Sequence, residues 1–158
     1  MKNRMILILS LVVLVFSLVG PVWAASTGTI NVTVTPKLIS LSVTPTTYDY
    51  GTLGLSDSAE TTITFTVEND GTVAEDFDIK GFDTADWTLS GAVGADTYKH
   101  DWKEGAGTYA ALTTGGAAGA TSVAAGNSKS FRFRLNTPTS SGATNAQSPN
   151  VTFTASES

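Results

Sequence analysis

The chain of 158 residues has no cysteine and a single histidine, His100. The absence of cysteine excludes a disulfide-stapled scaffold, a lipid carried on a thiol and a thiol nucleophile. The sequence also lacks the G-x-S-x-G and H-E-x-x-H motifs, so neither a hydrolase elbow nor a helical zinc site is recognisable. We therefore expect a protein that is not an enzyme and that needs no cofactor and no metal.

Basic residues are scarce: the chain has 9 of them against 14 acidic residues. Two of the nine, Lys2 and Arg4, lie at the N-terminus in front of an apolar run. Removing them with that run would leave 7 basic against 14 acidic residues. Nucleic acids and anionic lipids both need basic patches, so this balance argues against either as a partner.

The N-terminal segment has the three parts of an export signal. Lys2 and Arg4 form the basic region, Met5 to Val19 is apolar apart from two serines, and Val22-Trp23-Ala24 resembles a cleavage site. We predict a helical signal peptide over 1–24 and a secreted product, extracellular or at the cell surface. The alternative is an uncleaved anchor, since the 21 uncharged residues 5–25 are long enough to span a bilayer of ~30 Å. Membrane contact is expected only in that case.

Most of the remaining chain alternates between apolar and polar residues, the two-residue period of half-buried strands. The regular runs are 29–35, 39–44, 61–67, 76–80, 130–135 and 150–155, and two less regular ones are 84–89 and 97–102. Glu68 to Gly71 predicts a tight hairpin with positive φ, and the Gly/Ala-rich segment 115–126 predicts a connection. The pattern predicts an all-β domain over 37–158, a single immunoglobulin-like β-sandwich of about seven to nine mostly antiparallel strands.

The segment 25–36, just after the predicted cleavage site, predicts a strand without charge. Ile30, Val32 and Val34 share one face of this strand, and no charged residue occurs from Ala24 until Lys37. An uncharged terminal strand can pair with a sheet of its own domain or with that of a neighbour. The sequence leaves both pairings open, and the second would make these three residues a self-association site.

Four aromatic residues in the middle of the chain are candidates for contact with carbohydrate. They are Trp87, Tyr98, Trp102 and Tyr109. Flat rings on a β-sheet can stack on sugar rings, but large aromatics also dominate the cores of β-sandwiches. Both interpretations stay open, with the core interpretation favoured.

Acidic residues fall into two sets for which solvent exposure is the expected role. The set that a glycosidase would need is Glu75, Asp76 and Asp78, and the set near predicted strand ends is Asp83, Asp86, Asp96 and Asp101. The first set is predicted on a solvent face or in a turn. The spacing of the second matches no calcium-binding loop.

Two N-x-T triplets begin at Asn31 and Asn150, both on predicted outward faces where a glycan would fit. They are the candidate glycosylation sites. Threonine is so abundant in this chain that such triplets also arise by chance.

The segment F-T-V-E-N-D-G-T-V-A-E-D-F-D-I-K-G, from Phe65 to Gly81, resembles the V-x-N-x-G hairpin of immunoglobulin-like modules in bacterial surface proteins. The plan of signal peptide followed by β-domain also resembles that of TasA/camelysin-type fibre proteins, whose N-terminal strand can complement the next subunit. The resemblance implies an exported, non-catalytic role and permits fibre formation. It carries over no functional residue.

These observations lead to one expectation and one alternative. We expect a structural protein that self-associates through Ile30, Val32 and Val34 in a surface fibre, pilus or matrix, with copies of itself or other surface proteins as partners. The alternative is a secreted carbohydrate-binding module with a polysaccharide ligand.

Overall fold

The computed structural model describes residues 27–158, and the chain divides into two units after Val34. Residues 27–34 of the first unit are described, as is the whole of the second. The predicted signal peptide, its helix and its cleavage site lie outside the described residues. Within the described part, no helix has the length and apolar character needed to cross a bilayer.

The second unit is all-β: the described residues form ten strands and no helix. The strands are β1 (Leu41–Thr44), β2 (Ser58–Glu60), β3 (Phe65–Asn69), β4 (Glu75–Gly81), β5 (Thr88–Leu89), β6 (Thr97–Glu104), β7 (Ala110–Ala111), β8 (Ala117–Val123), β9 (Ser128–Asn136) and β10 (Val151–Glu157). The count is higher than the predicted seven to nine because it includes three short strands, β2, β5 and β7, of two or three residues each.

The strands form two sheets. The larger has the order β1-β3-β9-β6-β5, with β2 also pairing with β9 and β7 with β6, and the smaller has the order β10-β4-β8. The pairing of β5 with β6 is parallel, and the other pairs are antiparallel. The register between β10 and β4 runs without a break from Val151 opposite Gly81 to Glu157 opposite Glu75.

One hydrophobic core draws on both sheets, because alternate side chains of the long strands point into it. Phe131, Phe133 and Leu135 of β9 supply the larger sheet, while Phe77 and Ile79 of β4 are fully buried from the smaller one. The rings of Phe131 and Phe153 lie 4.8 Å apart between centroids and join β9 to β10 across the core. The alternation read from the sequence is confirmed in these strands.

Three local predictions are wrong. The segment Glu68 to Gly71 is not a tight hairpin: it connects β3 to β4, which lie in different sheets, and none of its residues has φ in the left-handed region. The Gly/Ala-rich stretch predicted as a connection contains β8. The run 61–67 begins as a strand only at Phe65, and Ile63 is 37% exposed.

The structure shows no strand among the described residues of the segment 25–36. No strand is assigned between residues 27 and 40, and the first ladder begins at Leu41. A single extended segment cannot be a strand without a partner to accept and donate its hydrogen bonds. The strand at 29–35 therefore stays a prediction from the alternation of the sequence.

Candidate functional site

The N-terminal segment presents its apolar face to solvent. Ile30, Val32 and Val34 are 86%, 84% and 87% exposed. Single exposed apolar residues are common on soluble proteins, but three β-branched residues at alternate positions of one uncharged segment form a continuous stripe. Exposing such a stripe to water is unfavourable, and covering it with a second surface lowers the free energy.

The strand β10 is an unprotected edge. It pairs with β4 on one side and has no strand on the other among the described residues. Its inward side chains, Val151, Phe153 and Ala155, pack against the core but stay only half-buried. Apart from Glu157 at its end, which forms an ion pair with Lys37, the strand carries no charge. Natural edges are usually blunted by charge, proline or a bulge, and β10 has none of these before its last residue, Glu157.

A groove of about 1190 Å³ opens beside the beginning of β10. Its floor includes Phe65, Phe133 and Leu135 of the larger sheet, and its walls are the loops 45–55 and 143–150. Asp49 is the one charged residue among the groups that line it. The groove therefore reaches the shared core from outside, at the side where the smaller sheet ends.

His100 and Tyr50 form the main polar pair of the groove. The Tyr50 hydroxyl lies 3.1 Å from His100 Nε2, while Nδ1 of His100 has no hydrogen-bond partner. Burial lowers the pKa of His100 to about 4, against the opposing effect of Asp101, and burial also raises the pKa of Tyr50. At neutral pH both groups are uncharged. They can exchange hydrogen bonds with a ligand, but neither supplies a charge.

Trp87 and Tyr98, two of the aromatic candidates, lie together with their ring centroids 6.2 Å apart. Tyr98 is fully buried, its hydroxyl donates to the carbonyl of Phe82, and burial raises its pKa to about 12. Trp87 is half-buried, donates from Nε1 to Ser141 Oγ at 2.9 Å and lines the groove. Of these two rings, only that of Trp87 is accessible.

Trp102 and Tyr109 lie on opposite faces of the larger sheet. Trp102 packs against the core, 5.9 Å from Phe131, whereas Tyr109 lies on the outer face with Lys103 and Arg134 over its ring, 4.5 Å and 4.4 Å from the centroid. Cations at these distances are attracted to the face of an aromatic ring. The four aromatics predicted to contact carbohydrate therefore do not form one common platform.

The two glycosylation candidates are both exposed. Asn31 belongs to the N-terminal segment, and Asn150 directly precedes β10 at the border of the groove. A glycan on Asn150 would lie at the entrance to the groove.

Two acidic residues are buried, contrary to the prediction that these acids face solvent. Glu75 is fully buried; its Oε1 accepts a hydrogen bond from the Ser40 amide at 2.9 Å, and its Oε2 has no partner. Asp101 lies within β6, not at a strand end, and is fully buried with Arg134 Nη2 at 2.8 Å from its Oδ2. The described residues contain no group of acidic or histidine side chains arranged to hold a metal ion.

A scan against protein-family models, a search of curated proteins and a search of solved structures each found no match to this chain. The choice among functions therefore depends on the geometry described above. The buried position of Asp101 could not have been found from the alternation alone, because that pattern places Asp101 on the polar face of β6. Glu75, by contrast, lies two residues before Phe77 and shares its buried face.

Proposed function

We propose that this chain is a non-enzymatic, exported structural protein, a subunit that self-associates in a surface fibre, pilus or matrix. The fold that we propose for the subunit is an immunoglobulin-like β-sandwich, with the signal over 1–24 removed. The observation that carries the proposal is the exposed stripe of Ile30, Val32 and Val34. The resemblance to TasA/camelysin-type fibre proteins supports the same role.

The acceptor is the free edge of β10 in a second copy. The donor segment 29–35 and β10 are both seven residues long, and each places three apolar side chains on one face. A donor strand paired along β10 would place Ile30, Val32 and Val34 beside the half-buried row of Val151, Phe153 and Ala155, on the same face of the sheet. At ~3.4 Å per residue, the two strands match in length over ~24 Å.

The energy of this association comes from two sources. Burial of three β-branched side chains contributes about 1.5–3 kcal/mol each, or about 5–9 kcal/mol together. Association costs about 4–15 kcal/mol in lost freedom, so the side chains alone give a marginal balance. The hydrogen bonds along β10, each worth about 1 kcal/mol net, move the balance towards binding.

The donor segment and the groove match because both are almost free of charge. The donor has none between Ala24 and Lys37, and Asp49 is the one charged residue lining the groove. Burying an unpaired charge in an apolar groove is costly, so an uncharged donor suits this acceptor. A charge placed on the apolar face of the donor should then abolish assembly.

The test compares three unglycosylated recombinant proteins that begin at residue 25: the parent, Val32→Asp and Thr33→Asp. We expect the parent to form concentration-dependent multimers by light scattering and filaments by electron microscopy. Val32→Asp should be a monomer with an unchanged melting temperature, while Thr33→Asp, with its charge on the opposite face, should still assemble. Three equally stable monomers would refute the proposal. A melting temperature lowered in Val32→Asp alone would also refute it, because the strand would then complete its own sheet.

A polysaccharide is the second candidate occupant of the groove. Trp87 offers a half-exposed ring there, and the amides of Asn145 and Gln147 line the same wall. The Gln147 amide is held by Thr84, Asp86 and the Asn145 carbonyl, so the exposed Asn145 amide is the group left for a sugar that stacks on the Trp87 ring. This function predicts that Trp87→Ala abolishes retention on a polysaccharide column while multimers still form; retention unchanged by Trp87→Ala would exclude it.

A further inference from the structure

Asp101 is the centre of a cluster of side chains on the outer face of the larger sheet. The carboxylate is fully buried, whereas its cationic neighbours Lys99 and Arg134 are 29% and 32% exposed. Asp101 Oδ2 accepts from Arg134 Nε at 3.1 Å, from Arg134 Nη2 at 2.8 Å and from Asn136 Nδ2 at 3.2 Å. Lys99 Nζ lies 3.0 Å from Oδ1.

The register of β6 and β9 brings the lysine and the asparagine of this cluster together. Lys99 and Asn136 are direct cross-strand partners in the antiparallel ladder. Side chains in such a pair lie on one face with Cβ atoms ~5 Å apart. The Lys99 ammonium and the Asn136 amide therefore contact the same carboxylate from neighbouring strands.

The two carboxylate oxygens of Asp101 differ in their hydrogen bonding. Arg134 donates both of its hydrogen bonds to Oδ2 and so does not bridge the two oxygens of the carboxylate. Oδ1 accepts no hydrogen bond, although the Lys99 ammonium is close enough for an ion pair. The cluster thus has one cation more than its buried acid needs and one oxygen free to take a proton.

We propose that Lys99 and Asn136 become joined by an intramolecular isopeptide bond, with Asp101 as the proton carrier. The Ser58 hydroxyl donates to Asn136 Oδ1 at 2.9 Å and so polarises the carbonyl that is attacked. This Ser58 contact would also stabilise the negative charge that develops on Oδ1 during the reaction. The four residues supply a nucleophile, an electrophile, a base and a hydrogen-bond donor.

The reaction needs no oxidant and no other reactant. Asp101 Oδ1 takes a proton from the Lys99 ammonium, and the free amine attacks Cγ of Asn136. The bond from Cγ to Nδ2 breaks. The departing nitrogen takes the proton held by Asp101 and a second proton from the attacking nitrogen, and it leaves as ammonium. One amide and one ammonium group are consumed, and one substituted amide and one ammonium ion are formed, so atoms and charge balance. Asp101 and Arg134 then remain as a neutral pair.

The bond would link two central strands of the larger sheet across 37 residues of chain. A cross-link that closes such a loop restricts the unfolded chain and raises thermal stability. This inference does not depend on self-association, since the four residues all belong to one copy.

Intact-mass spectrometry of the folded protein that begins at residue 25 tests the proposal. We expect a mass about 17 Da below the sequence mass, the loss of one ammonia, and a proteolytic fragment in which Lys99 is linked to Asn136. Lys99→Arg keeps a cation beside Asp101 but cannot form the amide, so it should have the full sequence mass. Lys103→Arg, on the same strand, should keep the loss and serves as the matched control.

Two results would overturn the proposal. One is the full sequence mass for the parent protein after prolonged incubation in the folded state. The other is a loss of about 17 Da that persists in Lys99→Arg, because a succinimide at an asparagine gives the same loss without a lysine.

Discussion

The neighbouring strands β4 and β10 have the same length and the same alternation, yet they differ in how far they are buried. In β4, Phe77 and Ile79 are fully buried between β8 and β10, whereas in β10 the corresponding Phe153 is only half-buried. The difference is one of neighbours: β4 has a strand on each side, and β10 has one. The apolar face of β10 is thus incompletely covered on its open side.

This comparison explains why we place the acceptor for the N-terminal segment at β10. The smaller sheet has three strands, while the larger sheet that it covers has seven. A further strand beside β10 would extend the cover over the groove that now exposes part of the core.

The largest effect is expected from truncating the complete part. Phe77→Ala removes a fully buried ring and should lower the free energy of unfolding by about 3–5 kcal/mol through lost burial and a cavity. Phe153→Ala, in the incomplete part, should cost the monomer only about 1–2 kcal/mol. Urea denaturation of both variants measures the contrast, and equal losses would show that β10 is as well packed as β4.

The second prediction concerns acid. The folded-state pKa of His100 is about 4 against 6.5 when unfolded, so the unfolded chain binds more protons between these values. The contribution of neutral His100 is complete above pH 6.5 and should be lost as the pH falls towards 4, by about 3 kcal/mol. Urea denaturation from pH 7 to 4 measures this slope. His100→Gln should lower the slope, and an identical slope in both proteins would contradict the assignment.

The third prediction tests the connection that leads into β4. Asn69 is fully buried and donates from Nδ2 to the carbonyls of Val73 and Val123, at 2.8 Å and 2.7 Å. Asn69→Ala leaves both carbonyls without this donor and should cost about 1–3 kcal/mol. The matched change at the open side, Asn145→Ala, removes an exposed amide and should cost less than ~0.5 kcal/mol. Thermal unfolding of the two variants decides the point.

The smallest effect is expected on the outer face of β10. Thr154 is exposed and lies opposite Asp78 of β4 in the ladder. Thr154→Lys should stabilise the monomer by about 0.2–1 kcal/mol through an opposite-charge cross-strand pair. Thermal unfolding at low and high salt measures this gain. A gain that salt does not reduce would rule out the electrostatic cause.

Sequence alternation predicted the long strands well, because each buries one face. In β9, Phe131, Phe133 and Leu135 alternate with polar residues, and the structure buries those three. Residues 117–123 gave no such signal, since alanine and glycine have low β-propensity. They form β8 because β4 supplies its partners, and Gly119 fits there because an added Cβ would lie 3.1 Å from the carbonyl oxygen of Phe77.

The candidate sites were only partly predictable for a related reason. Ile30, Val32 and Val34 were visible as a stripe, but only the structure could show that the stripe is exposed in one chain. Asp101 looked like an ordinary polar position of β6. Its carboxylate is contacted by the side chains of Lys99, Arg134 and Asn136, and alternation within one strand carries no information about such contacts.

The unbroken register of β10 against β4 also has a mechanical consequence. Seven residue pairs join the two strands, and their hydrogen bonds run perpendicular to both. In the proposed fibre, a pull transmitted by a strand lying along β10 would act parallel to these strands and load the whole ladder in shear. The bonds would then have to fail together instead of opening one after another, so the tensile strength of a subunit would be set by this register and much less by the depth of its core.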